Sequence, residues 1–419
     1  MQEPFDPMPF DPLPHRAQFP SLGLTLDGHP AVFFDNPGGT QVPQSVIDAV
    51  SGYYASQNAN VGGAFETSRR TDAVVAGARA AMADLLGAPG PETIVFGPSM
   101  TALTFHLARS LAETIQPGDE VIVTALDHDA NVAPWLDLEA AGAVIRTVDV
   151  HPKNGTLDLD GFRAMLNTRT RLVAVTHASN AVGTIPPVKQ IVEMAHAVGA
   201  WVFVDAVQYA PHGPLDVQAL GCDFLACSAY KFFGPHLGIL YGKAEHLSAL
   251  TPHKVRPSKD AIPYRWELGT LSHESLAGLT AAVTYLEAIG TGETRRARLL
   301  SALGHIKAYE QTLSQQLLDG LAEMADVTVY GLTDTARLAE RLPTVAFTWP
   351  RLSPRATAEH LAAHGICVWS GNYYALSLME RLGLEDTGGA VRVGLAHYNT
   401  TAEVDRLLAV LADVPHSAD

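Results

Sequence analysis

The chain has 419 residues, of which 47% are hydrophobic and 17% charged, ample for a large core and incompatible with intrinsic disorder. Its formal net charge of −16 turns most of the surface against phosphate backbones and anionic lipid, so nucleic acid and membrane are excluded as expected partners. No apolar run reaches the length of a membrane span.

Residues 1–30 are rich in proline, which removes backbone donors and favours extended chain, and they read as an arm that wraps a body. Met1 to Pro20 lacks both a basic start and an apolar stretch, so nothing in it directs export. Cys222, Cys227 and Cys367 form neither a disulfide framework nor a zinc spacing, and a reducing cytoplasm is the expected location.

From Thr93 onward, short β-branched runs recur at Thr93–Phe96, Val121–Thr124, Val144–Val148, Leu172–Thr176, Trp201–Val204, Phe224–Cys227 and Gly238–Tyr241. Several are almost wholly apolar, as parallel strands covered on both faces must be. Helical periodicity lies between them, clearest in Val188, Ile191, Val192, Ala195 and Val198 before Gly199. Strand, helix, strand at this spacing predicts right-handed βαβ crossovers and an α/β fold. The expected organisation is a large domain over 31–285 and a smaller α+β domain over 286–419. The smaller one would hold a helical stretch near Ala281–Gln316 and strands around Val327–Tyr330 and Val345–Trp349.

Ligands of open parallel sheets bind beyond the carboxyl ends of the strands, so the polar residues there are read together. Gly97-Pro98-Ser99-Met100-Thr101 follows the first strand and opens a helix carrying Leu103, Leu107 and Leu111. Free amides and the dipole at that helix start suit a phosphate, although taken alone the pattern is more commonly a plain N-cap by Ser99 or Thr101. Leu126-Asp127-His128-Asp129-Ala130-Asn131 follows the second strand, and its imidazole can lie flat on a ring or serve as a hydrogen-bonded loop residue. Val202-Phe203-Val204-Asp205-Ala206-Val207-Gln208 delivers a carboxylate at a strand end, to pair with a protonated ring nitrogen or to cap a turn. Cys227-Ser228-Ala229-Tyr230-Lys231-Phe232-Phe233-Gly234-Pro235 sets a lysine among aromatics. Burial there would lower the amine's pKa, which imine formation needs, whereas a solvated lysine would not require such neighbours.

With these motifs in this order, the span from about Phe33 to Thr400 resembles the fold-type I pyridoxal phosphate (PLP) enzymes of the class V aminotransferase group, in particular the cysteine desulfurase and selenocysteine lyase-like branch. The resemblance implies the aspartate aminotransferase-like fold of PLP-dependent transferases, with a mainly parallel seven-stranded sheet and a smaller α+β C-terminal domain. It also implies PLP as cofactor, with Lys231 as the Schiff-base lysine. Asp205 and Gln208 would meet the pyridinium and ring hydroxyl, and His128 would stack on the ring. Ser99, Met100, Thr101, Ser228 and Tyr230 would surround the phosphate, and Asn180, in Thr176-His177-Ala178-Ser179-Asn180, would contact cofactor and substrate. Arg392, in Val391-Arg392-Val393-Gly394, matches the arginine that grips a substrate carboxylate. Thr270, in Glu267-Leu268-Gly269-Thr270, is similar to a threonine that reaches the neighbouring subunit's phosphate, which implies a homodimer with shared sites.

Two departures bear on the reaction. Desulfurases of this branch take sulfur on a loop cysteine, and the comparable stretch Trp369-Ser370-Gly371-Asn372-Tyr373-Tyr374 places Tyr374 there, beside the expected substrate. A phenol cannot accept sulfur as a thiolate does. Cys367 sits in the apolar run Gly365-Ile366-Cys367-Val368, expected to be a buried strand with an inert thiol. Asn60-Val61-Gly62-Gly63-Ala64 replaces a His-Arg pair of the desulfurase pattern, which predicts a more open pocket entrance or a tight turn. The expected activity is therefore C–S bond cleavage of cysteine or an S-substituted cysteine by a lyase. The alternatives are desulfuration with another thiol, transamination or epimerisation, and a regulatory module that has lost catalysis.

Overall fold

The computed structural model describes residues 10–414. The first nine residues of the expected arm lie outside the described residues, while Phe19 within it is buried against Phe233, Tyr285 and Tyr398.

The seven apolar runs form one sheet: β1 (Ile94–Gly97), β2 (Glu120–Thr124), β3 (Val144–Val148), β4 (Thr170–Thr176), β5 (Trp201–Asp205), β6 (Phe224–Ser228) and β7 (Gly238–Gly242). Their order across the sheet is β1-β7-β6-β5-β4-β2-β3. Alternate side chains of β5 enter opposite cores: Val202 and Val204 pack on one face, Phe203 on the other. Both faces are therefore dry, and burying a ring such as Phe203 contributes about 1.5–3 kcal/mol. Only β7 runs against its neighbours. The 229–237 connection is shorter than the dozen or so residues that a parallel crossover needs, so the chain turns back.

Register decides where the site forms. Asp205 pairs with Thr176 of β4 and Ala226 of β6, so β4 and β5 finish level and β6 ends two residues further on, at Ser228. Gly238 at the start of β7 faces the segment before the helix that begins at Met100, where a Cβ would lie 2.2 Å from the Ser99 carbonyl carbon. Of the longer helices, α1 (Gln44–Ser56), α2 (Glu66–Leu86), α3 (Met100–Ala112) and α4 (Val188–His196) belong to this part of the chain.

The helical stretch expected over Ala281–Gln316 is two helices, α5 (His273–Ile289) and α6 (Arg295–Ala322). The break is tight: a Cβ on Gly290 would fall 1.9 Å from the Arg298 carbonyl oxygen. Beyond α6, β8 (Thr328–Tyr330), β9 (Thr344–Thr348), β10 (Trp369–Gly371) and β11 (Ala390–Gly394) make an antiparallel sheet ordered β8-β9-β11-β10. Its inner face packs on Leu313, Leu317 and Leu321 of α6 and on Leu407 and Leu411 of the last helix. Val32–Phe33 pairs with Ile366–Cys367, and the Gly394 amide donates to Phe34 at 2.7 Å, so residues 35–40 are carried from β11 toward the large sheet. Among the described residues no helix is long and apolar enough to cross a membrane.

Candidate active site

Lys231 ends a single 3-10 turn, Ala229–Lys231, directly after β6. Phe232 and Phe233 behind it are fully buried and draw the lysine inward, leaving it 8% exposed. Its Nζ donates to the carbonyls of Pro37 and, at 3.0 Å, Gly38, and lies 4.7 Å from the Tyr230 ring centre. Among the described residues no carboxylate forms an ion pair with it. Burial and then the Arg392 charge push its pKa down to about 7, against the opposing pull of Asp205 and Asp35.

Asp205 is buried at the end of β5, and its Oδ1 accepts from the Val207 amide at 2.8 Å. Burial raises its pKa to about 6, offset in part by that amide and by Lys231. Gln208, one turn on, donates from Nε2 to the Pro37 carbonyl at 2.9 Å, so lysine and glutamine share one acceptor. His128 takes the Ala130 amide on Nδ1 at 3.0 Å, and burial lowers its pKa to about 4, which keeps the ring neutral. Beneath it, Asp127 is bound by Thr124 and, at 2.6 Å, by Asn131.

Arg392 of β11 is buried, with its guanidinium 4.4 Å from the Tyr373 ring centre and Nη1 donating to the Asn180 carbonyl at 2.9 Å. Asn180 in turn donates from Nδ2 to the Tyr373 carbonyl at 2.8 Å. Among the described residues, Arg392 Nε and Asn180 Oδ1 are buried without partners. At the start of α3 the Met100 amide donates to Ser228 Oγ at 3.2 Å, while Ser99 Oγ caps the helix by accepting from Ala102 at 3.1 Å.

One cavity of about 460 Å³ gathers Met100, Thr101, His128, Asn180, Asp205, Gln208, Ser228, Tyr230, Lys231, Tyr374 and Arg392, which are the residues expected from the strand ends and the C-terminal motif. Ser99 does not line it, since its hydroxyl is engaged as the helix cap. Thr270 is exposed and lies elsewhere, in a second cavity of about 730 Å³ with Arg79 and Glu267. Asn60, Val61 and Gly62, expected from the sequence at a more open entrance or in a tight turn, line that second cavity beside Thr270 and are absent from the wall of the first. Cys367 is in a strand but only half-buried, because that strand is two residues long at an edge. It is absent from the cavity wall, and burial followed by Asp35 raises its thiol pKa to about 11.

Sequence reasoning missed the loop of Asp35, Pro37 and Gly38, which supplies the carbonyls around Lys231. Its available signal was the Pro37-Gly38-Gly39 turn, since glycine permits close backbone approach.

The family model described as Aminotransferase class-V matches residues 32–407. The chain is 36% identical to a probable cysteine desulfurase of Mycolicibacterium paratuberculosis over 95% of its own length, and 37% identical to a cysteine desulfurase of Synechococcus elongatus over 94%. It spans 57% and 62% of the lengths of those two relatives. The apo structure of a cysteine desulfurase from Thermococcus onnurineus NA1 superposes with a TM-score of 0.86 at 29% identity, covering 96% of this chain and 98% of the other.

Proposed function

The chain belongs to the class-V aminotransferase family, whose members use pyridoxal 5'-phosphate, and from that premise we propose that it cleaves the C–S bond of cysteine or an S-substituted cysteine by elimination. The observation that carries this reading is a buried amine of lowered pKa and a buried carboxylate on one cavity whose lining contains no thiol.

The residues present fit the cofactor. Lys231 would hold its aldehyde carbon, Asp205 its ring nitrogen, and Ser228 with the first amides of α3 its phosphate. The unsatisfied Asn180 Oδ1 and Arg392 Nε are buried polar atoms that a bound group would relieve. Bound PLP supplies an electron sink for the pair left when the α-proton departs.

Arg392 would grip the substrate carboxylate through its guanidinium. Lys231 Nζ, released from Pro37 and Gly38, would take the α-proton, a task suited by a pKa near neutrality. Asp205 would keep the proton on the ring nitrogen. The C–S electron pair would leave with sulfur, and water would complete the balance to thiol, pyruvate and ammonia with no oxidant or reductant.

A second reading, desulfuration through a persulfide, is favoured by the names of the relatives. It needs a thiol at the substrate sulfur, and the half-buried Cys367 with its raised pKa is poorly placed to supply one. Replacing Cys367→Ala and measuring pyruvate against alanine separates the two: unimpaired pyruvate release supports elimination, whereas alanine that disappears with the thiol supports the persulfide route.

Two copies would share sites, Thr270 of each serving the other, in a cytoplasmic homodimer. The exposure of Thr270 outside its own chain's cavity supports that arrangement. Sedimentation of a monomer that keeps its cofactor would end it.

A further inference from the structure

We propose that Trp369 and Tyr374 form an aromatic slot for the group carried on the substrate's sulfur, so that the preferred substrate is a cysteine S-conjugated to a planar, uncharged aromatic group. This deepens the C–S cleavage reading and rests on it.

The slot follows from the register of β10 and β11. Trp369 stands directly opposite Arg392 in an antiparallel pair, and side chains so paired project from the same face of the sheet. An amino acid with its carboxylate on Arg392 therefore has the indole as its lateral neighbour. The indole also leans on the loop that holds Lys231: a Cβ on Gly38 would come within 2.6 Å of Trp369 Nε1, and Gly38 supplies one of the two carbonyls on the amine.

The second wall comes from the turn that follows β10. The Tyr374 ring stacks over His128 at 5.5 Å between centres and 29° between planes. Its backbone is pinned: the Tyr374 carbonyl accepts from the Asp129 amide at 2.7 Å, and its amide donates to Asn372 Oδ1 at 3.0 Å. Tyr373 and Tyr374 both hold positive φ, at 56° and 58°, a conformation bulky residues seldom adopt. The turn presents the phenol at the mouth instead of folding it inward.

Both rings line the cavity, yet Trp369 is 53% and Tyr374 73% exposed. Between them lie Ser370, Gly371, Asn372 and Tyr373, none of them charged. A bare thiol would leave both rings wet, whereas a flat apolar substituent would cover them and stack in the offset geometry that aromatic faces prefer. Arg392 is committed to the carboxylate and Glu385 accepts from Asn372 at 3.0 Å, so no free counter-charge awaits the substituent, which favours an uncharged group.

The test compares kcat/KM for S-benzyl-L-cysteine and S-methyl-L-cysteine in the PLP-loaded wild type and in Trp369→Ala, Trp369→Phe and Tyr374→Ala. The wild type is expected to favour the benzyl substrate by about tenfold or more, the yield of roughly one stacked ring. That preference should fall by about tenfold in each alanine variant, through KM rather than kcat, and survive in Trp369→Phe. A wild type without the preference, or one ratio across all four proteins, overturns the slot. Failure of every protein to turn over either compound would sink the C–S reading instead. Calorimetric binding of the two compounds then decides the slot separately, sustained if tighter benzyl binding disappears in Trp369→Ala and overturned if the two bind alike.

Discussion

Replacing Lys231→Met in the cofactor-free protein should change stability in a way that depends on pH with a known sign. The amine falls from its ordinary value of 10.5 to about 7 on folding, chiefly through burial. Below about pH 7 both folded and unfolded chains carry the proton, and the cost of burying a charge is present in full. Between the two values only the unfolded chain is protonated, so wild-type stability rises with pH. From about pH 6.5 to about pH 9.5 this linkage amounts to about 3 kcal/mol, at about 1.4 kcal/mol per pKa unit. Unfolding entropy of about 2.1 cal/mol/K per residue gives about 0.9 kcal/mol per degree for a chain of this length, so the effect is about 4 °C in Tm. Methionine titrates nowhere in this window, and its loss of the bonds to Pro37 and Gly38 is a constant offset. Asp205, which titrates near 6, changes mostly below the window. Scanning calorimetry of both proteins should therefore show the Tm difference, variant minus wild type, falling by about 4 °C from the acid to the alkaline end. A difference that stays flat with pH would mean that the amine is solvated, and the reasoning about Lys231 would be wrong.

Asp205→Asn should retain bound PLP, visible in its absorbance, while kcat falls by about 10²–10⁴, the usual weight of a proton-managing group; an unchanged kcat would remove Asp205 from the chemistry. Gly238→Ala would force its new methyl onto the Ser99 carbonyl carbon, now 2.2 Å from that position, so the start of α3 must move. The expected outcome is a loss of about 1–3 kcal/mol in urea unfolding together with weaker phosphate binding, and wild-type values in both would show that the contact is soft.

The strand ends were legible because their chemistry is local. Asp205, Ser228 and Lys231 each follow an apolar run that is buried on both faces, and the parallel register of β4, β5 and β6 then brings their carboxyl ends together. Arg392 was legible only as a motif, since nothing in its neighbours shows that β11 is folded back beside Asn180. The loop from Asp35 to Gly38 was missed because its part in the site depends on pairing between Val32–Phe33 and Ile366–Cys367, residues separated by most of the chain. The place of Gly62 and Gly63 was not legible, because their position is decided by amide hydrogen bonds to Asp72 and Ser68 rather than by strand order. The reversal of β7 could have been inferred from loop length, and the break at Gly290 from its glycine and threonines.

The carbonyls of Pro37 and Gly38 reach Lys231 from one extremity of the chain, and the guanidinium of Arg392 arrives from near the other. On the roles proposed above, cofactor and substrate are thus held by segments far apart in the chain that meet only once it is folded. The two grips can therefore fail separately: disturbing β11 should cost substrate binding and leave the hold on the cofactor.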